Sequence, residues 1–289
     1  MGSRDIAGMI FDIEEFALYD GPGIRSTVFF KGCPLNCIWC HNPEGISKKR
    51  ELSVKTSLCD NCGRCREICH GGECDICGEC VKACSKRNRR ICGEIITAGA
   101  LADKLKRNGE FFGDSDGEIK GGITVSGGEP LYQKTFLMAL LRELNGIHRA
   151  IETTGYAPSS VFTEMLEHVE LVMMDIKHAN SAVHKRLTGV DNAPILANLQ
   201  ILKVSDTPFI IRIPLIPGIN DSGENLRNTA ALLQDCENLV GVELLPYNKF
   251  TGSKYKSFGK PYYPPFDEQQ EPNADAECFM KLGIRCTVI

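Results

Sequence analysis

Long apolar runs are missing from this chain. No stretch approaches the roughly eighteen apolar residues that a membrane-spanning helix needs. Met1-Gly2-Ser3-Arg4 leads into no apolar h-region, and Arg4-Asp5-Ile6 lacks the serine or threonine of a myristoylation signal. Basic charge is also scarce: 33 Lys and Arg stand against 37 Asp and Glu, for a net charge of −4 and a pI near 5.9. Bulk charge therefore excludes a broad nucleic-acid or membrane-binding surface. The expectation is a cytoplasmic protein, and 289 residues allow one substantial domain plus a small one.

Cysteine is the opposite case. There are fifteen, twelve of them between Cys33 and Cys92. A reducing compartment does not sustain that many structural disulfides, so metal binding or catalysis is left. Cys92, Cys236, Cys278 and Cys286 stand outside any ligand spacing and read as buried apolar residues.

Cys33, Cys37 and Cys40 lie at x3 and x2 spacing in one short loop. Three thiolates so placed can hold three corners of an iron–sulfur cluster and leave one iron open, as a catalytic site requires. The competing reading is half of a zinc knuckle. Its fourth ligand would have to be His41, badly placed beside Cys40. Further on, Cys59-x2-Cys62-x2-Cys65-x3-Cys69 is repeated as Cys74-x2-Cys77-x2-Cys80-x3-Cys84. Both runs match the bacterial two-cluster ferredoxin spacing, though His70 and Ser85 replace the usual proline. Such ferredoxins exchange their fourth cysteines, which groups Cys59, Cys62, Cys65 and Cys84 on one cluster and Cys74, Cys77, Cys80 and Cys69 on the other. Two four-thiolate zinc sites are the alternative. The segment has too little apolar content for a core of its own, so metal must hold it together. It reads as a ferredoxin-like insert over residues 53–95, between flanking parts 1–52 and 96–289 of the main domain. The basic run Lys86-Arg87-Asn88-Arg89-Arg90 closes it, either as a solvated face or as a dock for an acidic electron donor.

Residues 6–18 form an apolar, partly alternating segment ending in the turn Tyr19-Asp20-Gly21-Pro22-Gly23. Strand-like runs follow at 26–31, 123–125, 150–151, 171–174, 209–213 and 240–245. Helical stretches are expected at 95–107 (with Ala100, Leu101 and Leu105 on one face), 132–145, 159–168, 181–204 in two pieces, and 222–236. Six β–α units imply a parallel sheet with helices outside, fewer than the eight of a closed barrel. Active-site residues of βα folds gather where strands end. Those ends carry the cysteine triplet, Ser126-Gly-Gly-Glu-Pro130, Glu152-Thr-Thr-Gly155, Met173-Met-Asp-Ile-Lys-His178, Arg212-Ile-Pro214 and Leu245-Pro-Tyr-Asn248.

The triplet, with Trp39 before its last cysteine, resembles the signature of radical S-adenosylmethionine (radical SAM) enzymes. Together with Asp20-Gly-Pro-Gly-Ile-Arg25, Ser126–Pro130, Asp175-Ile-Lys177 and Leu245-Pro-Tyr247, it resembles the glycyl radical enzyme activating enzymes over nearly the whole chain. The resemblance implies an α/β fold with an open (β/α)6 TIM-like partial barrel. It implies three 4Fe-4S clusters, with the Cys33, Cys37 and Cys40 cluster binding SAM at its open iron. Trp39, Gly127, Gly128, Glu129, Asp175, Lys177, Arg212, Tyr247 and Asn248 would contact SAM, with Glu129 at the methionyl amine. Glu152, Thr153, Met173 and Asp175 would hold a monovalent cation (Na+ or K+). Asp20 would meet the partner's glycine loop, and a flavodoxin or ferredoxin would deliver electrons to a monomeric enzyme. A radical SAM enzyme for a small molecule, and a plain ferredoxin-type carrier, are the alternatives. The carrier leaves the triplet and Gly-Gly-Glu without purpose.

Overall fold

Strands buried on both faces of a parallel sheet read as unbroken apolar runs, and this sheet is built of them. The computed structural model describes residues 2–69, 74–113 and 121–289. Its strands are β1 (Ala7–Ala17), β2 (Arg25–Phe30), β3 (Glu51–Val54), β4 (Arg89–Cys92), β5 (Glu94–Thr97) and β6 (Gly122–Gly127). They continue as β7 (Arg149–Thr153), β8 (Leu171–Asp175), β9 (Phe209–Leu215), β10 (Leu239–Pro246) and β11 (Cys286–Val288). One nine-stranded sheet has the order β11-β10-β9-β8-β7-β6-β2-β1-β5. From β2 to β11 every neighbouring pair is parallel. The six expected strands are β2 and β6 to β10. To them the structure adds β11 at one edge and antiparallel β1 and β5 at the other.

Helices cross between the parallel strands. Helix Lys134–Glu143 buries Phe136, Leu137, Leu140 and Leu141, and Phe136 meets Phe30 of β2 with ring centroids 4.9 Å apart. Helix Ser181–Thr188 starts where the Asn180 side chain accepts from Val183 N, and stops at Gly189, whose φ of 84° a side chain would oppose. Ser222 caps helix Gly223–Leu232 in the same way.

One expected helix is divided. Residues 95–107 do not form a single helix: Glu94–Thr97 is strand β5, paired with Ala7–Ile10 of β1, and the helix is Ala98–Lys106. The β-branched run Ile95-Ile96-Thr97 favours the strand, and the Thr97 hydroxyl then caps Ala100 N at 3.3 Å. Its buried face is Ala98, Leu101, Ala102 and Leu105, whereas Ala100 is exposed. Cys92 is buried as expected, but Cys236, Cys278 and Cys286 are only half-buried, packed on the core's margin.

Candidate active site

Strand register decides which strand ends become neighbours. Phe30 pairs with Gly127, Glu152 with Met173, Asp175 with Arg212, and Arg212 with Glu243. The sheet's carboxyl ends thereby line one cavity of ≈ 570 Å3, within the range of small-molecule sites. Of the residues expected at the site, Asp20, Trp39, Gly127, Gly128, Glu152, Thr153, Asp175, Arg212, Tyr247 and Asn248 face it. Glu129, Lys177 and Met173 do not.

The cysteine loop packs beside this cavity. Asn36 N and Ile38 N donate to the Thr188 and Leu187 carbonyls at 2.8 and 3.0 Å, which anchors the loop on helix Ser181–Thr188. Leu35, Cys37, Trp39, Ile216 and Tyr247 bury one another around it. Burial pushes the Cys37 thiol up to about 12 and also raises Cys33 and Cys40. Thiolate ligation here must therefore displace protons. Lys177 stands behind the loop and donates to Asp175 Oδ2 at 2.9 Å. Burial works to lower the pKa of its ammonium, but Asp175 and the Cys37 and Cys33 sulfurs outweigh that and hold it above the ordinary lysine value. Lys177 thus faces thiols and Asp175, not the cavity.

Glu129 does not line the cavity. It was expected to offer its carboxylate to an ammonium group, yet it is completely buried and faces inward. Oε1 accepts from Leu131 N (3.1 Å) and Thr153 Oγ1 (2.7 Å), while Oε2 accepts from Thr154 N (2.8 Å) and Thr154 Oγ1 (2.5 Å). Burial holds its pKa above the ordinary carboxylate value despite these four donors. Its work is to pin the Gly127-Gly128 turn to the end of β7. That turn is backbone laid on backbone: a Cβ on Gly128 would fall on the carbonyl oxygens of Gly32 and Gly45.

Arg212 is likewise occupied. Its Nη1 pairs with Glu152, its Nε donates to Glu243 Oε2 at 2.7 Å, and its Nη2 donates to the Tyr19 carbonyl at 2.5 Å. Ser126 Oγ donates to the other oxygen of Glu152. Buried Arg25 donates to the Pro22 carbonyl (3.0 Å), and Thr124 Oγ1 to that of Asp20 (2.6 Å). Two arginines and a threonine thus hold the Tyr19–Pro22 turn at the cavity with Asp20 on its wall. Of the expected cation set, Glu152 already faces Arg212 and Asp175 faces Lys177, Thr153 is bonded to Glu129, and Met173 is buried. Tyr247 turns its hydroxyl to Glu268 Oε1 (2.5 Å) and Tyr262 (2.9 Å), leaving its ring to the cavity.

In the insert, the sequence repeat is a structural one. Asp60 and Asp75 each accept from the amide two residues on, at 3.3 and 3.1 Å. Asn61 and Ile76 share a φ of 57°, Gly63 and Gly78 have φ of 82° and 86°, and the short helices Arg64–Glu67 and Glu79–Lys82 follow. Antiparallel β3 and β4 close its base. A smaller cavity is lined by Cys59, Cys62, Cys65 and Cys84 together, the set that crosses between the two runs. His70 lies outside the described residues. Among the described residues no three His, Cys, Asp or Glu are grouped to hold a single metal ion.

Sequence reasoning passed over Asn42, Glu44 and Lys254 on the cavity wall, and weighed His41 beside them only as a zinc ligand. The helix-start pattern Asn42-Pro43 was the available signal, since proline favours the first position of a helix, here Pro43–Ile46.

Known proteins resemble this chain over most of its length. The pattern of the Radical SAM superfamily matches residues 82–230. The choline trimethylamine-lyase activating enzyme of Oleidesulfovibrio alaskensis is 39% identical, with 88% of each chain covered. The 4-hydroxyphenylacetate decarboxylase activating enzyme of Clostridioides difficile is 34% identical, covering 99% of this chain and 97% of its own. A radical SAM methyltransferase structure from Sphaerobacter thermophilus superposes with a TM-score of 0.53 over 92% of this chain and 66% of its own, at 16% identity, and so shares the fold. The chain belongs to the radical SAM superfamily, among the activating enzymes of glycyl radical enzymes.

Proposed function

We propose that this chain, acting as a monomer, installs a radical on one glycine of a partner glycyl radical enzyme. Cys33, Cys37 and Cys40 would hold a cluster that, reduced by an external one-electron donor, would pass that electron to the sulfonium of SAM, giving methionine and a 5′-deoxyadenosyl radical able to take a hydrogen atom from that glycine. The observation carrying this reading is the single cavity that joins Trp39, the Gly127-Gly128 backbone, Asp175 and Tyr247 beside the three thiols. The donor set fits the cluster: three sulfurs in one loop with no fourth cysteine beside them.

The chain's own part is to bind, orient and exclude water. The glycine backbone of the turn approaches the amino-acid end of the ligand, with Glu129 fixing it from behind. Trp39 and the Tyr247 ring close the apolar side, with Asn248 next to them. Asp175, held at one oxygen by Lys177, presents its carboxylate to ribose hydroxyls. A cation at Glu152, Thr153, Met173 and Asp175 would have to compete with Arg212 and Lys177. The turn at Asp20 sits where the partner's loop enters an open six-unit barrel. Cys59, Cys62, Cys65 and Cys84, and Cys69, Cys74, Cys77 and Cys80, would hold two further 4Fe-4S clusters in residues 53–95. These would take electrons from a flavodoxin or ferredoxin, in a cytoplasmic setting. The test mixes reduced protein, SAM and the glycyl radical enzyme encoded beside it. A protein-centred doublet in electron paramagnetic resonance is expected, and its absence with SAM cleavage intact would favour a small-molecule substrate.

A further inference from the structure

A buried carboxylate oxygen without a partner is costly, and Glu44 has one. The residue is 4% exposed and lines the cavity, yet its Oε2 accepts no hydrogen bond. Its other oxygen lies 3.3 Å from Lys254 Nζ, which also donates to Asn42 Oδ1 at 2.8 Å.

The backbone around Glu44 is fixed from several sides. Fully buried Lys31 donates to the Glu44 carbonyl at 2.5 Å, and Lys260 to that of Pro43 at 2.8 Å. Gly32 N donates to the Gly45 carbonyl at 2.7 Å. Gly45 packs so closely that a Cβ there would stand 3.2 Å from Gly128 N. The backbone that carries the carboxylate is therefore held at the junction of β2, the cysteine loop and the Gly127-Gly128 turn.

An ionised carboxylate only accepts hydrogen bonds. We infer that Glu44 is a ligand-binding residue of the cavity, its Oε2 taking an N–H donor of the bound S-adenosyl ligand while Lys254, itself bonded to Asn42, holds its other oxygen in place. The inference rests on the reading of the cavity as the SAM site. Two groups of the ligand carry that chemistry, the α-ammonium and the 6-amino group of adenine.

The test is calorimetric binding to the anaerobically reconstituted protein, with three probes and the variants Glu44→Ala and Glu44→Gln. S-adenosylhomocysteine carries both donors, 5′-methylthioadenosine lacks the ammonium, and S-inosylhomocysteine lacks the 6-amino group. Loss of a charge-assisted bond should weaken S-adenosylhomocysteine about 10- to 100-fold in Glu44→Ala, with Glu44→Gln, which keeps the volume, weakened in the same direction. If 5′-methylthioadenosine is unaffected, the donor is the ammonium; if S-inosylhomocysteine is unaffected, it is the adenine amine. Parent-like affinity for all three probes in both variants overturns the role of Glu44. Failure of the parent itself to bind S-adenosylhomocysteine overturns the reading of the cavity, and the proposal with it.

Discussion

Replacing Glu129 by alanine separates two accounts of the Gly-Gly-Glu turn. A carboxylate reaching into the cavity would cost ligand affinity when removed and little else. The observed carboxylate instead satisfies two backbone amides, Leu131 N and Thr154 N, and two hydroxyls, all inside the protein. Hydroxyls can rotate to new partners; buried amides cannot. At about 1–3 kcal/mol for each buried donor left unsatisfied, two amides give a loss of about 2–6 kcal/mol. In a chain of this size each kcal/mol lowers Tm by about 2–4 °C, so a fall of about 4–24 °C is expected. Scanning calorimetry and urea unfolding of the variant measure it, with Glu129→Gln falling between parent and alanine because it keeps one acceptor. A parent-like Tm together with a tenfold loss of S-adenosylhomocysteine affinity would refute the reasoning and return the carboxylate to the cavity.

Other consequences are as direct. Replacing Cys33, Cys37 and Cys40 together by alanine should remove about four of roughly twelve irons per reconstituted chain, read by iron analysis, with the insert's clusters retained; stoichiometric zinc in their place would sink the assignment. Gly128→Ala should destabilise the chain by at least about 1–3 kcal/mol in urea unfolding, because the new Cβ meets backbone oxygens that cannot move aside. Arg212→Met leaves Glu152 and Glu243 facing each other without their cation and should cost about 3–5 kcal/mol, checked in the same way. Burial raises the pKa of Glu170, but hydrogen bonds from Arg149 outweigh it and leave the group below its ordinary value. The stability it gives is present above its unfolded value of about 4.3 and is lost as pH falls through the lower folded value. The stability gap between parent and Glu170→Gln should therefore narrow between pH 7 and pH 3 in urea unfolding.

Much of the site was legible because parallel strands announce themselves twice, as apolar runs such as Leu171–Met174 and by the polar residue that ends each run. Asp175, Arg212 and Tyr247 were found on that basis and do line one cavity. The crossed grouping of Cys84 with Cys59, Cys62 and Cys65 was expected from the match to two-cluster ferredoxins, and these four cysteines line one small cavity. What stayed hidden depends on partners distant in the chain. Glu129 looks available until Thr153 and Thr154 are brought against it from β7. Arg212 looks free until its register partner on β10 supplies Glu243 and β7, two strands away, supplies Glu152. Glu44 is ordinary in sequence and becomes informative only because burial leaves one of its oxygens unpaired. Ile95-Ile96-Thr97 misled for a local reason: apolar residues leading into a helix also suit an edge strand.

The central claim is that the hydrogen atom comes from a glycine of a protein partner. The partner enzyme, prepared with carbon-deuterated glycine, is mixed anaerobically with this protein, a reductant and SAM, and the 5′-deoxyadenosine formed is analysed by mass spectrometry. One deuterium per 5′-deoxyadenosine, appearing in step with the protein-centred doublet, is the expected result. Deuterium-free 5′-deoxyadenosine alongside full SAM turnover, with label arriving only from a deuterated small metabolite, would contradict the account.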